Sequence, residues 1–319
     1  MNRADRMGLH DLPMPDLASS FPGPFPTSPH ADHVEEQALR WLGEFPLLAP
    51  SDALRTLCNI TGQGVARTFP TAGQDSLVLC AHLFLWLTAF DDVHGEAAAA
   101  RDPALLVDHV GELTLVLADG DVPAAAGPFA AALQDLLARF RAVATPAQYL
   151  RLAGHLRDNL FGIVWEAHHL IAPEQVTVRE YCAMRPHTVF VRTIMATAEI
   201  VLGYELSDEQ RSSAPVRQLE AAVANLAGWI NDLVSYRREA TRMGMNPLSL
   251  PTLLMAEHGL DLRKAVQAAS RMCEEQAAIA RSRINELTSG PTSALAVHAR
   301  AMENIADSFV WHTAHARYR

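Results

Sequence analysis

From Ala31 onward, nearly every segment of this 319-residue chain spaces its apolar residues three and four apart, and alternating β-branched and polar runs are scarce. That periodicity restricts the fold to packed helices. Val34, Ala38, Trp41 and Leu42 give the first example, with Glu35 and Glu36 near its start. The pattern predicts helices over about 31–44, 51–64, 73–93, 103–118, 128–143, 146–170, 176–203, 208–241, 262–288 and 291–316. Breaks fall at Asp119-Gly120-Asp121, Gly244-Met245-Asn246-Pro247 and Ser289-Gly290-Pro291. The expectation is an all-α, single-domain bundle of roughly ten helices over residues 30–319. Residues 1–29 contain six prolines, which fix φ and lack a donor, so this stretch is expected to be extended or mobile.

Composition narrows the partners. Hydrophobic residues are 49% and charged residues 19%, enough for a large core, and the net charge is −10. An acidic chain without a Lys/Arg block is a poor binder of nucleic acid or anionic membrane. No run of about 18 apolar residues suggests a membrane span. Cys58, Cys80, Cys182 and Cys273 are scattered and read as buried thiols. With no basic stretch leading an apolar segment at the N-terminus, the expected location is cytoplasmic.

Two polar clusters stand out. The apolar run Ala81–Phe90 leads directly into Asp91-Asp92-Val93-His94-Gly95-Glu96. Adjacent carboxylates at the end of a buried helix repel and resist desolvation, and a divalent cation relieves both penalties. Taken alone, the pair also reads as a solvated helix end. The second cluster, Asn231, Ser235 and Glu239, is spaced i, i+4, i+8 and lies on one stripe of a helix. An amide oxygen, a hydroxyl and a carboxylate make a ligand set for a hard cation. A helix with one polar face is the plain alternative.

Together these clusters resemble bacterial class I terpene cyclases. Those enzymes carry an aspartate-rich motif and, about 140 residues later, an Asn-Asp-x-x-Ser-x-x-x-Glu motif; here Asn231 lies 140 positions after Asp91. Arg185, 46 positions before Asn231, matches the family's diphosphate-sensing arginine. Arg238 matches the basic residue before the motif's Glu, Arg317-Tyr318 the C-terminal Arg-Tyr pair, and Phe21–Asp32 the Pro-rich entry. One departure is that Glu96 lies five positions after Asp91, where many members have the third acid at four.

The resemblance implies a terpenoid-synthase-like bundle around a central cavity, with the two clusters facing each other across it. It implies three Mg²⁺ ions, held by Asp91, Asp92 and Glu96 on one side and Asn231, Ser235 and Glu239 on the other. Arg185, Arg238, Arg317 and Tyr318 would bind the diphosphate. Thr188 and the Val189 carbonyl match the pair that couples diphosphate sensing to ionisation, and Pro186 fits a helix break there. Phe84, Phe161, Trp165, Trp229, Trp311 and His312 are cavity candidates, and each is also explained by ordinary packing. Trp311 ranks first among them. Farnesyl-using relatives often have aromatics where this chain has Leu87, Thr88, Val189 and Ile194; smaller residues favour a C20 substrate, geranylgeranyl diphosphate, over the C15 farnesyl diphosphate. The family is often dimeric, so the resemblance admits a homodimer.

Other readings remain at this point. A chain-elongating prenyl transferase would carry a second Asp-rich motif where Asn231 stands. A di-iron bundle needs two Glu-x-x-His pairs, and Glu166-Ala-His168-His169 supplies one. A non-catalytic helical binding protein predicts no metal dependence.

Overall fold

A computed structural model describes residues 15, 17, 19–95, 102–120, 127–170, 175–243, 246–290 and 293–312, excepting the side chains of 119, 242, 243 and 312. Among the described residues there are thirteen helices and no strand. In chain order they are α1 (Ala31–Glu44), α2 (Asp52–Thr68), α3 (Gln74–His94), α4 (Pro103–Asp119), α5 (Pro128–Val143), α6 (Pro146–His169), α7 (Val178–Thr188), α8 (Val191–Val201), α9 (Asp208–Ser212), α10 (Ala214–Met243), α11 (Leu250–His258), α12 (Leu262–Thr288) and α13 (Ala294–His312).

The count exceeds the expected ten for three local reasons. The segment expected as one helix over 176–203 is two. Pro186 does not break it: it lies inside α7, and the break falls at Val189 and Phe190, the latter at φ 61°. The segment expected over 208–241 divides at Ser213, because Pro215 has no N–H with which to continue the ladder from α9. α11 went unpredicted although its punctuation is regular: Ser249 precedes it, Pro251 sits in its first turn, and Gly259 ends it at φ 63°.

The described residues form two compact groups. The first comprises residues up to Pro24, His168–Val191 and Leu206 onward. In it α10 packs on α7, α9, α11, α12 and α13, and α11 packs on α7 and α12. The second comprises Phe25–Ala167 and Arg192–Glu205. In it α1, α2 and α3 pack on one another, and α5 packs on α3 and α4. Gly62 on α2 permits close packing on α1, since a Cβ there would lie 3.0 Å from the Ala31 carbonyl oxygen. Asn159 of α6 donates to Thr193 of α8, and Arg151 of α6 pairs with Glu199 of α8 at 2.8 Å.

α3 is apolar on almost every side, and Leu77, Leu83, Leu85, Trp86 and Phe90 are at most 1% exposed. Burial on that scale contributes about 1.5–3 kcal/mol per side chain. By length and composition α3 could cross a membrane, but 61% of its apolar window is buried within the fold, as in a core helix. Of the Pro-rich segment, the described part carries no helix and is anchored at Leu17, Phe21 and Ser28, which are buried.

Candidate active site

In the first group, α10 carries the second cluster. Its Leu226, Trp229, Ile230 and Leu233 are buried, and Asn231, Ser235 and Glu239 follow one stripe. Ser235 is fully buried, and its hydroxyl makes no well-formed hydrogen bond. It lies close enough to Glu239 to ease that carboxylate's charge. Burial pushes the Glu239 carboxyl above its ordinary range, opposed by Ser235, Arg185 and Arg238 and reinforced by Asp232. Arg238, the basic residue expected at the diphosphate, faces Glu239 at 3.7 Å. A sealed hydroxyl and a desolvated carboxylate on one stripe fit a hard cation, which would satisfy the first and stabilise the charged form of the second.

α7 brings the expected sensor to this stripe. The Arg185 guanidinium donates from one nitrogen to Asn231 Oδ1 at 2.8 Å and from the other to Thr188 Oγ1 at 2.8 Å. The same nitrogen that reaches Asn231 pairs with Asp232 Oδ1 at 2.8 Å. Arg185 and Thr188 of one expected segment and Asn231 of another therefore meet. Val189 caps α7, and its N–H returns to the Arg185 carbonyl at 3.0 Å. Phe190 beside it occupies the left-handed region, a strained conformation for an aromatic residue. Gly228 is required by close approach: a Cβ there would lie 2.6 Å from Arg185 Cγ.

The sequence reading missed Asp232, Tyr181 and Gly228. Asp232 is 1% exposed and accepts from Tyr181 Oη at 2.8 Å and from the Leu250 N–H at 2.9 Å. Burial pushes its carboxyl up, and Arg185, the Leu250 N–H and the Tyr181 hydroxyl oppose that shift. The available signal was the i, i+4 pair Tyr181/Arg185 on one helix and an acid adjoining Asn231 on another.

In the second group, Asp91 and Asp92 are half-buried in the last turn of α3. Thr88 and Phe84 continue the same half-buried stripe, one and two turns back, between buried neighbours; Leu87 is buried. Gly95 closes the turn over Asp91, where any Cβ would lie 2.5 Å from Asp91 Oδ1. His94 packs between Phe90, Phe129 and His109, and burial, followed by His109, lowers its pKa to about 4. It is therefore a neutral neighbour of the aspartates at pH 7.

The remaining candidates divide. Ile194 and Trp165 are half-buried in the second group, Trp229 is buried beside Cys182 in the first, and Trp311 is half-buried on α13. Phe161 is 61% exposed: the buried face of α6 runs through Leu152, Leu156, Asn159 and Ile163, and the helical period turns Phe161 away from it. A cavity role for Phe161 is not supported. Glu96, Arg317, Tyr318 and the His312 side chain lie outside the described residues.

No three His, Cys, Asp or Glu side chains gather around one point among the described residues. Cys58, Cys80 and Cys273 are buried, and burial raises their thiols, the first two to about 11 and about 12, which keeps them protonated and inert.

Residues 82–278 match the family described as terpene synthase family 2, C-terminal metal binding. The (12E)-labda-8(17),12,14-triene synthase of Streptomyces cyslabdanicus is 62% identical over 308 residues, spanning 97% of this chain and 94% of that protein. The synthase of the same name from Streptomyces anulatus is 61% identical, spanning 97% and 96%. Among solved structures, a protein from ancestral sequence reconstruction, SVS_A2, aligns with a TM-score of 0.83 at 22% identity over 95% of this chain and 90% of its own, a likeness of fold. A metal-binding match through both clusters, on an all-helical chain with an arginine docked on the second cluster, leads to one conclusion: the chain belongs to terpene synthase family 2, the bacterial class I terpene synthases.

Proposed function

We propose that the protein is a Mg²⁺-dependent diterpene synthase that ionises a C20 allylic diphosphate and releases a labdane-type hydrocarbon. The observation that carries the site assignment is the 2.8 Å contact between Arg185 and Asn231 Oδ1, which joins a diphosphate-binding side chain to a metal-ligand stripe. Asn231, Ser235 and Glu239 would hold Mg²⁺ as one set of oxygen ligands and Asp91 and Asp92 would hold it as the other, with three ions expected in all. Divalent ions held there would supply the positive charge that a departing diphosphate needs. Arg185 donates to the phosphate oxygens, a task suited to its fixed fork of N–H groups. Arg238 exchanges its contact with Glu239 for the diphosphate. Thr188 holds the second Arg185 nitrogen, so movement of the guanidinium is felt at the α7 end, where the Val189 carbonyl lies. Phe84 and Thr88, on the half-buried stripe of α3 that leads to Asp91, would line the hydrocarbon and exclude water from the cation.

The substrate length rests on two supports. Leu87, Thr88, Val189 and Ile194 leave more room than aromatics would. The labdatriene synthases name a C20 bicyclic product bearing a 12,14-diene. Loss of diphosphate from an allylic carbon, and of a proton from the carbon attached to the far end of its alkene, leaves such a diene. That product name favours a second reading, in which the two rings are already present in the diphosphate that enters.

The test incubates purified full-length protein and Mg²⁺ separately with linear C15, linear C20 and bicyclic labdane-type C20 diphosphates. Diphosphate release and the mass spectrum of the hydrocarbon are followed. Release is expected from a C20 compound and is expected to stop with EDTA. Turnover of the bicyclic compound alone selects the second reading. Turnover of only the C15 compound, or release unaffected by EDTA, defeats the proposal.

A further inference from the structure

We infer that Asp232 is a positioning residue for ionisation: it fixes the Arg185 guanidinium against Asn231, so that the diphosphate-binding arginine and the second metal motif are set together. This rests on the roles of Arg185 and Asn231 proposed above.

Asp232 adjoins Asn231 but lies about 100° around the helix from it, off the ligand stripe. Both its oxygens are engaged. Oδ2 accepts from Tyr181 Oη at 2.8 Å and from the Leu250 N–H at 2.9 Å, and Oδ1 accepts from Arg185 at 2.8 Å. The donors come from α7 and from the start of α11, while the carboxylate comes from α10. A carboxylate held by two donors cannot swing with its partner, so it fixes where the guanidinium sits. Tyr181 and Arg185 are one turn apart on α7 and present both groups on one face. On α10, Gly228 leaves the slot through which the Arg185 stem passes.

The consequence reaches Asn231. An amide offers an oxygen at one end and N–H donors at the other. Arg185 can only donate, so a guanidinium held at that point selects the oxygen end and orients Oδ1 within the stripe it shares with Ser235 and Glu239. A buried ion pair serving stability alone could be exchanged for apolar packing without loss. Here one member also touches the proposed metal ligand, and its displacement should change the reaction.

The test is a set of double-mutant cycles on diphosphate release by full-length protein, with Mg²⁺ and the prenyl diphosphate that the unmodified protein turns over. Asp232→Asn and Tyr181→Phe are each made with Arg185 intact and with Arg185→Lys. Asp232→Asn is expected to lower kcat about 10- to 100-fold and to raise the Mg²⁺ concentration for half-maximal rate. Tyr181→Phe should act in the same direction by a smaller factor. Neither should lower kcat further once Arg185 is Lys, because both act through it. Gly228→Ala reaches Arg185 from the other side with the Asp232 partners in place, and should reproduce the kcat loss. Losses that multiply with Arg185→Lys, or an Asp232→Asn kcat within about twofold of unmodified, overturn the inference; if Asp232→Asn does not fold, the Tyr181→Phe cycle and Gly228→Ala decide it by the same criteria. An unmodified protein that releases no diphosphate from any prenyl diphosphate overturns the functional reading itself, and is seen before any substitution is made.

Discussion

The Ser235 hydroxyl is fully buried without a well-formed hydrogen bond. A polar group in that state costs a folded protein about 1–3 kcal/mol, and a bound cation is the partner that would recover it. Ser235→Ala should therefore need about tenfold more Mg²⁺ for half-maximal diphosphate release. A Mg²⁺ titration of diphosphate release reads this, and an unchanged half-maximal concentration would contradict the account. The ligand stripe was legible because three oxygen-bearing side chains at i, i+4, i+8 have one geometric meaning on a helix. Asp232 was not, since its role depends on Tyr181 and Leu250, 51 and 18 positions away, and no local spacing encodes those contacts. Phe161 shows the converse: an aromatic in an apolar context reads as a lining residue until the phase of α6 is fixed by what it packs against.

α3 is held to α1 and α5 by a polar knot around His82. Its ring stacks on Trp41 at 4.8 Å, its Nδ1 faces an Arg139 nitrogen at 2.9 Å, and its Nε2 lies 3.3 Å from the Gln37 carbonyl. Arginine can only donate, so Nδ1 accepts and the ring proton sits on Nε2. Burial, and then Arg139, lowers the His82 pKa to about 4. The unfolded ring titrates near 6.5, so the unfolded chain takes up the proton first. This stabilisation is complete above about pH 6.5 and declines by about 3 kcal/mol as the pH falls to about 4. His94, lowered in the same way, adds to the loss with the same sign. Urea midpoints at pH 7 and pH 5 should show the drop, and His82→Gln should flatten part of it; an unchanged slope in that variant would remove His82 as its source. Element boundaries were legible where punctuation is local, as at α1, α5 and α12, whose predicted and observed limits coincide. They were not where one residue's backbone decides. The left-handed Phe190 carries no sequence mark, because glycine or asparagine is the usual occupant. α11 was passed over because its apolar residues cluster in its first seven positions and its ionisable ones at its end, which leaves no repeating period in nine residues.

At the scale of the whole chain, binding should register as stability. Ions and diphosphate that occupy the folded site together raise its unfolding free energy by about 2.7 kcal/mol at a hundredfold excess over Kd. For a chain of this size that corresponds to about 4 °C in Tm. Scanning calorimetry should find the rise with Mg²⁺ and inorganic diphosphate together, and little with either alone; an equal rise with diphosphate alone would argue that the arginines bind it without metal. Fold class was legible because helical period runs through the whole chain, and the reaction class because the motifs stand at set distances. The product was not, because it depends on the contour of the surface presented to the hydrocarbon. The Asp232 knot has a practical consequence for exchanging parts among these enzymes. It draws on three stretches, around Tyr181, Asp232 and Leu250, so a crossover placed between any two of them would pair one parent's carboxylate with the other's donors. Chimeras that inherit residues 181–250 as a block should recover activity more often than those cut within it.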